Sequence, residues 1–340
     1  AVRYHNSLDY DLMMVSPKTD YLLAARAFPR NRLFQARGHE AVESVSPIYI
    51  ARGSWRNPVD RSETRQIFML GIDPVDEGFS RLLTPEQLEE IKIPDQLIFD
   101  RMGRPEFGPI EEMILRGEKV ETAIRDREIS VTSLYAVGTS FGLDGGVVTS
   151  DLNLLRIFPG QSASGIHLGM INLKDGADPL AVRDAISAEL PGDVVVMTPA
   201  DFKQKEIRHW NKTTPVGYLF AFGAIIGVVV GFIIVYQILF ADVQDHLQEY
   251  ATLKAMGYSH GYLRGVVLQQ SIILGLLGFI PGAGVSLLAF DAAIGATRMP
   301  LEMTPQSAAF VLALTLGMCV CSGFFALRKL KAVDPAHVFA

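Results

Sequence analysis

Residues 213–241 read TTPVGYLFAFGAIIGVVVGFIIVYQILFA, without a single charged side chain. Two further uncharged stretches cover 265–290 and 303–327, so the three contain 29, 26 and 25 residues. About 20 apolar residues let a helix cross the hydrocarbon core of a bilayer, and a buried core helix is rarely this long and free of charge. We therefore predict three membrane spans, at about 216–240, 265–289 and 305–327.

The formal charge of −6 is confined to the part of the chain that precedes these spans. Residues 213–340 hold six basic and six acidic side chains, so 25 basic and 31 acidic ones fall in residues 1–212. The sequence thus divides into a charged domain, 1–212, and a membrane domain, 213–340. The acidic excess argues against nucleic acid as a partner. Two cysteines are too few for a disulfide scaffold, and 49% hydrophobic residues are too many for a disordered chain.

Basic residues near the span ends predict the orientation. Two lie in the loop 241–264 and three follow the third span, against one in the loop 291–302. Because cytoplasmic loops carry the excess of Lys and Arg, the loop 241–264 is predicted to be cytoplasmic and residues 1–212 periplasmic. Such a domain needs an export signal, so we expect a fourth, N-terminal span, or alternatively a cleaved signal peptide, ahead of Ala1. The expected fold class is a helical membrane domain beside an extracytoplasmic α+β domain.

Alternation and turn residues predict the elements of residues 1–212. The stretch 166–197 predicts a β-α-β unit with strands at 166–173 and 194–197, and with Asp178 as the N-cap of the helix between them. Thr198 and Pro199 start a further helix that leads toward the first span. Strands are also predicted at 10–16, 44–55, 65–72 and 129–137, and helices at 20–37 and near 85–91. The Pro-, Gly- and charge-rich region 74–127 predicts an inserted lobe.

The same domain holds one pattern typical of catalysis. Residues 138–142, GTSFG, match the G-x-S-x-G nucleophile elbow, which would make the chain a membrane-anchored enzyme that uses Ser140. The elbow needs a helix after the serine, whereas the next residues, LDGGVV, favour a turn and a strand. None of the four histidines of this domain stands at metal-ligand spacing, namely His5, His39, His167 and His209. We expect no catalytic residue, and no metal or cofactor bound by this chain.

The loop 241–264 contains the best candidate for a functional segment. Apolar residues recur at helical spacing and supply a contact surface, and Gly257 is placed to end a helix at its C′ position. The pattern predicts a helix over 242–256 with one polar face. Composition leaves two interpretations open, a solvated connector helix or a docking helix for a cytoplasmic partner. The polar face consists of Asp242, Asp245, His246 and Glu249, and the apolar surface of Val243, Leu247, Ala251, Leu253 and Met256.

This loop and the span after it resemble the MacB/FtsX family of ABC-transporter permeases. The resemblance rests on FADV at 240–243 and EYATLKAMG at 249–257. It is closer to the DevC branch in DHL at 245–247 and GLLGFIPG at 275–282, and VDPA at 333–336 fits the end of the family's chains. An outside domain followed by three spans is similar to the family's layout over the whole chain, but the family's first span has no counterpart in this sequence.

The resemblance implies a permease subunit driven by a separate ABC ATPase, which alone uses ATP and Mg²⁺. The sequence agrees, since it lacks the phosphate loop G-x-x-x-x-G-K-[ST]. The family implies a homodimer of the bacterial inner membrane that exports cargo, in the DevC branch a glycolipid, through a membrane-fusion adaptor protein and an outer-membrane channel by mechanotransmission. The alternative is an FtsX-like role without transport, in which motion activates cell-wall enzymes. By resemblance 242–256 is the coupling helix, in which Glu249, Leu253, Lys254, Met256 and Gly257 match the family motif.

Small and helix-bending residues mark the spans. Gly223, Gly227 and Gly231 form a double G-x-x-x-G, which predicts either a generic packing face or the dimer interface. Pro215 predicts a bend ahead of the first span, and Pro281 predicts a kink within the second. The predicted spans carry no internal ionisable group, which argues against an ion pathway along them.

Overall fold

The computed structural model describes residues 2–140, 142–298 and 303–330. Within them the chain forms two compact units, one of residues up to 214 together with 296–298, and one of residues 215–295 together with 303–330. The first unit is α+β, and the second contains three helices long and apolar enough to cross a membrane. The predicted fold class is therefore confirmed. Three predicted features, Phe141 in GTSFG, Lys331 and the segment VDPA at 333–336, lie outside the described residues.

The elements of the first unit are named in chain order. Its helices are α1 (Val2–Ser7), α2 (Asn31–Arg37), α3 (Pro85–Glu90), α4 (Ile110–Leu115), α5 (Asp151–Ile157), α6 (Pro179–Glu189) and α7 (Pro199–Lys212). Its strands are β1 (Leu12–Val15), β2 (Phe28–Pro29), β3 (Val42–Arg56), β4 (Thr64–Ile72), β5 (Gln96–Asp100), β6 (Val120–Ile124), β7 (Arg127–Tyr135), β8 (Gly146–Ser150), β9 (Gly165–Ile166), β10 (Leu168–Leu173) and β11 (Val195–Met197).

A four-stranded frame with the chain order β-α-β-β-α-β forms one part of the unit. It consists of β1, α2, the first half of β3, β10, α6 and β11, and its sheet order is β11-β1-β10-β3. Both β10 and β11 run antiparallel to β1, so they are parallel to each other. The β-α-β unit predicted at 166–197 is therefore present, with β1 inserted between its two strands. This arrangement is the ferredoxin-like order of elements.

The remaining strands extend the same sheet rather than forming the lobe predicted at 74–127. Beyond Ile48, which pairs with Leu168 of β10, strand β3 continues and pairs with β4. The order then runs β4-β8-β5-β7-β6, so β5 and β6 from the predicted lobe are built into one nine-stranded sheet. The prediction of a separate lobe failed because these strands pair with strands that are distant in sequence. The Pro- and charge-rich connections between them gave no sign of that pairing. The segment inserted into the frame is the longer one, 49–167.

Helices cover both faces of this sheet. All four residues of β1 are fully buried, and they point alternately into two separate apolar clusters. Leu33 of α2, Leu154 of α5 and Ile186 of α6 belong to one cluster. Tyr4 of α1 and Phe202 of α7 belong to the other. A strand buried on both faces reads as a continuous apolar run, as LMMV does.

Two of the predicted elements are shorter than expected. The helix predicted at 20–37 is limited to α2, because Phe28 and Pro29 form β2 and pair with β9. The strand predicted at 166–173 is divided at His167, whose Nδ1 accepts a hydrogen bond from the Ile50 N–H at 3.1 Å. Burial lowers the pKa of His167 to about 4, so the ring stays neutral and serves as an acceptor within the sheet.

Side-chain caps start α6 and α7 where the sequence predicts. The Asp178 carboxylate accepts a hydrogen bond from the Leu180 N–H at 3.0 Å, and the Thr198 hydroxyl accepts one from the Asp201 N–H at 3.2 Å. A proline occupies the first turn of each helix, where its missing N–H costs nothing. Local signals thus fix the helix that ends next to the first span.

The second unit is helical. Three of its described segments are long and apolar enough to cross a membrane, namely Gly217–Asp245, Gly265–Thr297 and Pro305–Ala326. The first two run past the predicted ends at 240 and 289, so Asp242, Asp245 and Asp291 lie near the ends of long helices rather than outside them. The helices are α8 (Pro215–Asp245), α9 (Leu247–Ala255), α10 (His260–Thr297) and α11 (Pro305–Leu330).

Helix α11 packs against both α8 and α10 through small residues. A Cβ atom on Gly323 would clash with the Ser271 hydroxyl of α10, and one on Gly275 would lie 3.0 Å from Leu316. The Ser322 hydroxyl donates a hydrogen bond to the Phe232 carbonyl of α8 at 3.2 Å. Close approach of small residues and side-chain hydrogen bonds hold helices together in lipid, where apolar burial gives no driving force.

Candidate functional site

The helix predicted over 242–256 is divided between α8 and α9 at His246. The first four residues of the predicted helix, 242–245, form the end of α8, and residues 247–255 form α9, so that Met256 lies in the turn that follows. Helical hydrogen bonds still cross the junction, from the His246 N–H to the Asp242 carbonyl and from the Tyr250 N–H to the His246 carbonyl, both at 3.1 Å. The predicted acidic face is therefore shared by two helices that remain in helical register.

The side chain of His246 bonds to the helix backbone at the interruption. Its Nδ1 lies 2.9 Å from the Asp242 carbonyl, so this nitrogen donates and competes with the backbone for the same acceptor. This hydrogen bond, followed by the nearby carboxylates of Glu249, Asp242 and Asp245, raises the pKa of His246 above its ordinary value. The junction thus favours a protonated imidazole among three acidic groups.

Asp242 and Val243 connect α8 to α10 rather than facing outward. The Gln270 side-chain N–H donates to the Asp242 carboxylate at 2.7 Å. Val243, which the sequence placed on the contact surface of the loop, is fully buried together with Leu239 and Val267. This end of α8 is consequently fixed to α10 by one polar tether and a small apolar core.

Gly257 ends α9 as predicted. Its φ of +94° lies in the left-handed region, and the Tyr258 N–H bonds to the Leu253 carbonyl at 3.2 Å, which is the six-to-one bond of a Schellman motif. The motif turns the chain sharply before α10 begins at His260. A helix with a defined stop keeps the side chains of its last turn in fixed positions.

An exposed surface remains on α9 and the turn after it, and we call it the coupling face. Glu249, Leu253 and Met256 share one side of the helix at spacings of four and three residues. Met256 is 64% exposed, and Tyr258 and Tyr262 are about half exposed with ring centroids 4.9 Å apart. The two tyrosines were missed in the sequence, although their spacing of four residues next to Gly257 is a signal. The side chains of Ala251 and Lys254 lie outside the described residues.

The three glycines of α8 have different surroundings. A Cβ atom on Gly231 would lie 3.1 Å from Met318 of α11, so this glycine serves packing within the chain. Around Gly223 and Gly227 no atom of the described residues lies within 4 Å of that position. The double G-x-x-x-G therefore divides into one internal contact and one open pair, and its role as a dimer interface stays a prediction.

The two prolines predicted to bend the helices occupy different positions: Pro215 begins α8, and Pro281 lies inside α10. Pro215 is the first residue of α8, and residues 213 and 214 interrupt the helix between α7 and α8. Pro281 lies inside α10, which continues on both sides of it. Its predicted kink stays a prediction.

Ser140 lacks the surroundings of a nucleophile. It pairs with Leu143 in an isolated β-bridge, and the chain proceeds to β8 rather than into a helix. The Ser140 hydroxyl is buried and has no hydrogen-bond partner among the described residues. The nucleophile-elbow interpretation is therefore wrong, because the strand-turn-helix context that would expose the serine is replaced by a turn between two extended segments.

A buried polar chain that the sequence did not reveal joins α1 to α7. His5 Nε2 lies 2.7 Å from the Glu206 carboxylate, and His5 Nδ1 lies 3.1 Å from the Tyr10 hydroxyl. His5 and Glu206 are 2% and 0% exposed, and the His5 ring packs edge-on against Phe202 at 4.6 Å. Burial, then the nearby Glu206, raises the pKa of Tyr10 well above its ordinary range. These hydrogen-bonded side chains hold α7, the last helix of the first unit, to the N-terminal segment.

Comparison with known protein families gives one match, in the membrane unit. Residues 221–335, roughly a third of the chain, match the family of the FtsX-like permease C-terminal domain. This match covers α9, the coupling face and most of the three long helices, and it supports the MacB/FtsX family. No curated protein matches the chain.

Solved structures similar to this chain include two domains from transporters. The periplasmic region of MacB from Actinobacillus actinomycetemcomitans is 11% identical, with a TM-score of 0.40 over 58% of this chain and 94% of that chain. The extracellular domain of the noncanonic ABC-type transporter YknZ from Gram-positive bacteria is 12% identical, with a TM-score of 0.36 over 56% of this chain and 100% of that chain.

Proposed function

We propose that this chain is the membrane subunit of an ABC-type exporter of the DevC branch and works as a homodimer in the bacterial inner membrane. The observation that carries the proposal is the FtsX-like permease match over 221–335, which includes the exposed coupling face. A separate ABC ATPase binds this face and hydrolyses ATP with Mg²⁺. Residues 1–212 lie in the periplasm.

The geometry around α9 suits transmission of motion. The Schellman stop at Gly257 holds the coupling face in a fixed shape, and the tether between Asp242 and Gln270 joins α8 to α10. A push on α9 therefore moves two long helices together instead of being absorbed at a flexible loop. Only residues 213 and 214 separate α8 from α7, so the periplasmic domain receives this motion through a short connection.

The export route in this proposal runs through an adaptor protein and an outer-membrane channel, with a glycolipid as cargo. The DevC-like motifs at 245–247 and 275–282 support this assignment. An FtsX-like regulator would have the same ATPase contact but a different periplasmic partner. Purification of the tagged full chain from its own cells distinguishes them, because an adaptor and channel support export and a cell-wall hydrolase supports regulation.

Charge and polarity changes on the coupling face test the ATPase contact. We expect Glu249→Lys, or Leu253→Asp, to abolish co-purification of the ATPase. The first change reverses the charge of a side chain in the contact, and the second places a charge on its apolar part. The measurement is the amount of ATPase recovered with the tagged chain from detergent-solubilised membranes. Insertion of the chain into the membrane fraction should be unchanged.

Gln204→Lys is the matched control for this experiment. It adds a positive charge to an exposed position of α7, in the other unit, and should leave ATPase recovery at the level of the unaltered chain. Normal recovery with both coupling-face variants would contradict the proposed contact.

A further inference from the structure

A cavity lies in the first unit at the point where strands of its sheet close into a ring. Trp55 of β3 pairs with Ile124 of β6. Six strands therefore form a ring in the order β3-β4-β8-β5-β7-β6. The cavity has a volume of about 420 Å³, and its walls include Arg56, which follows Trp55, and Thr122 of β6. This volume lies within the range of about 300 to 1,000 Å³ that is typical of sites for small molecules.

Hydrogen bonds hold the walls of this cavity in place. In the turn between β6 and β7, the Arg125 N–H donates to the Ser54 carbonyl of β3 at 2.9 Å. Asp95, which precedes β5, is held by Arg127, whose Nη2 donates to its carboxylate at 2.9 Å. The walls are therefore fixed before a ligand arrives, and a fixed site loses less conformational freedom on binding.

Charges of both signs line the cavity. Its walls contain three guanidiniums and four carboxylates, namely those of Arg56, Arg61 and Arg125 and those of Asp95, Glu121, Asp126 and Glu128. Two of the carboxylates are paired with cations from outside the cavity, Asp95 with Arg127 and Glu121 with Lys119. In the part of the chain that the structure describes, Arg56, Asp126 and Glu128 form no ion pair. The cavity thus offers a ligand both donors and acceptors.

This mixture of charges selects the chemistry of the ligand. A guanidinium only donates hydrogen bonds and a carboxylate only accepts them, whereas a hydroxyl does both. An anion would meet the carboxylates of Asp126 and Glu128, and a cation would meet the guanidinium of Arg56. An apolar ligand would remove these charges from water without replacing their hydrogen bonds, which is costly. A neutral ligand with several hydroxyls can bond to both kinds of group.

We propose that this cavity binds a neutral sugar. Arg56 donates hydrogen bonds to hydroxyls of the sugar, and Asp126 and Glu128 accept hydrogen bonds from them. Gln96 and Ser130, which also line the cavity, supply neutral groups that donate and accept. The inference rests on the lining of this cavity in the first unit, and it holds whatever the chain exports.

Saturation-transfer difference NMR on the full chain in lipid nanodiscs tests this site. The probes are the methyl glycosides of glucose, galactose and mannose, and empty nanodiscs give the background. We expect at least one of the three to receive saturation from the protein. Glucose 6-phosphate and glucosamine are the charged comparisons, and both should bind more weakly than the best neutral glycoside.

Variants of the lining locate the bound sugar. Arg56→Ala with Glu128→Ala should lower the affinity for the best glycoside by about tenfold for each side chain removed, because hydrogen bonds to charged groups are lost. Arg37→Ala with Glu40→Ala removes the same two charges from exposed positions outside the cavity and should leave the affinity unchanged. Circular dichroism checks the fold of each variant. The two single variants are measured as well, so that the site stays testable if the double variant does not fold.

Three results would overturn the proposal. Saturation of none of the three glycosides above the background would exclude a neutral sugar as the ligand. Tighter binding of glucose 6-phosphate, or of glucosamine, would replace the neutral sugar with an ion of that sign. Equal affinity in the unaltered chain and in the folded variants at positions 56 and 128 would place the sugar outside this cavity.

Discussion

At the scale of single residues, the buried pair of His5 and Glu206 decides how α7 is held. Both side chains are removed from water, so the Glu206 carboxylate depends on His5 for its hydrogen bond, whereas His5 also contacts the Tyr10 hydroxyl. Removing one partner of such a pair leaves a buried polar group without that hydrogen bond, which costs about 1 to 3 kcal/mol. This loss of stability would fall on the first unit, whereas the coupling face belongs to the second.

We therefore expect Glu206→Ala to lower the free energy of unfolding of the first unit by about 1 to 3 kcal/mol. Chemical denaturation of the full chain, followed by the fluorescence of the buried Trp55, measures this change. Tyr10→Phe keeps the pair and removes only the hydroxyl that contacts His5, so it should cost much less. A Glu206→Ala variant as stable as the unaltered chain would show that the pair contributes nothing.

At the scale of elements, Gly257 and the helices on either side of it form one structural device. The stop of α9 requires a left-handed residue, and any side chain larger than hydrogen resists that conformation. There is open space around Gly257, since no atom of the described residues lies within 4 Å of a Cβ added there. Strain at this position would therefore come from the backbone alone.

We expect Gly257→Ala to weaken the stop of α9 by about 1 to 2 kcal/mol and to reduce ATPase recovery without altering insertion. Gly265→Ala is the matched control, because its position is equally open but lies inside α10, where alanine favours the helix. Faster exchange of amide hydrogens in 250–258 of the first variant alone would report the loss of the stop. Equal exchange in the two variants would contradict this account.

At the scale of the whole molecule, the open glycines of α8 are the predicted contact for a second copy of the chain. Gly223 and Gly227 let another helix approach closely, whereas Gly231 is already used by Met318. We expect Gly227→Ile to abolish the dimer in detergent because it blocks this approach. Light scattering of the purified chain measures the mass. Gly278→Ile, at an equally open glycine of α10, is the control and should leave the dimer intact.

Features set by neighbouring residues could be read from the sequence, and features set by distant ones could not. The caps at Asp178 and Thr198, the stop at Gly257 and the long apolar helices all depend on short stretches of chain. The pair of His5 and Glu206 joins residues 201 positions apart, and no periodicity indicates it. The sheet shows the same limit, because the pairing of β5 with β8 and β7 joins strands that are far apart in sequence.

The route of β3 has a consequence for how this domain can vary. The segment 49–167 leaves the four-stranded frame after Ile48 and returns at Leu168, and these two residues are paired neighbours. The segment 49–167 thus leaves the four-stranded frame and rejoins it at the same place. A change in the length of this segment therefore reaches the frame at one point only, between Ile48 and Leu168. Loss of the whole segment would in contrast remove side chains from both apolar clusters, because the frame and the segment share them.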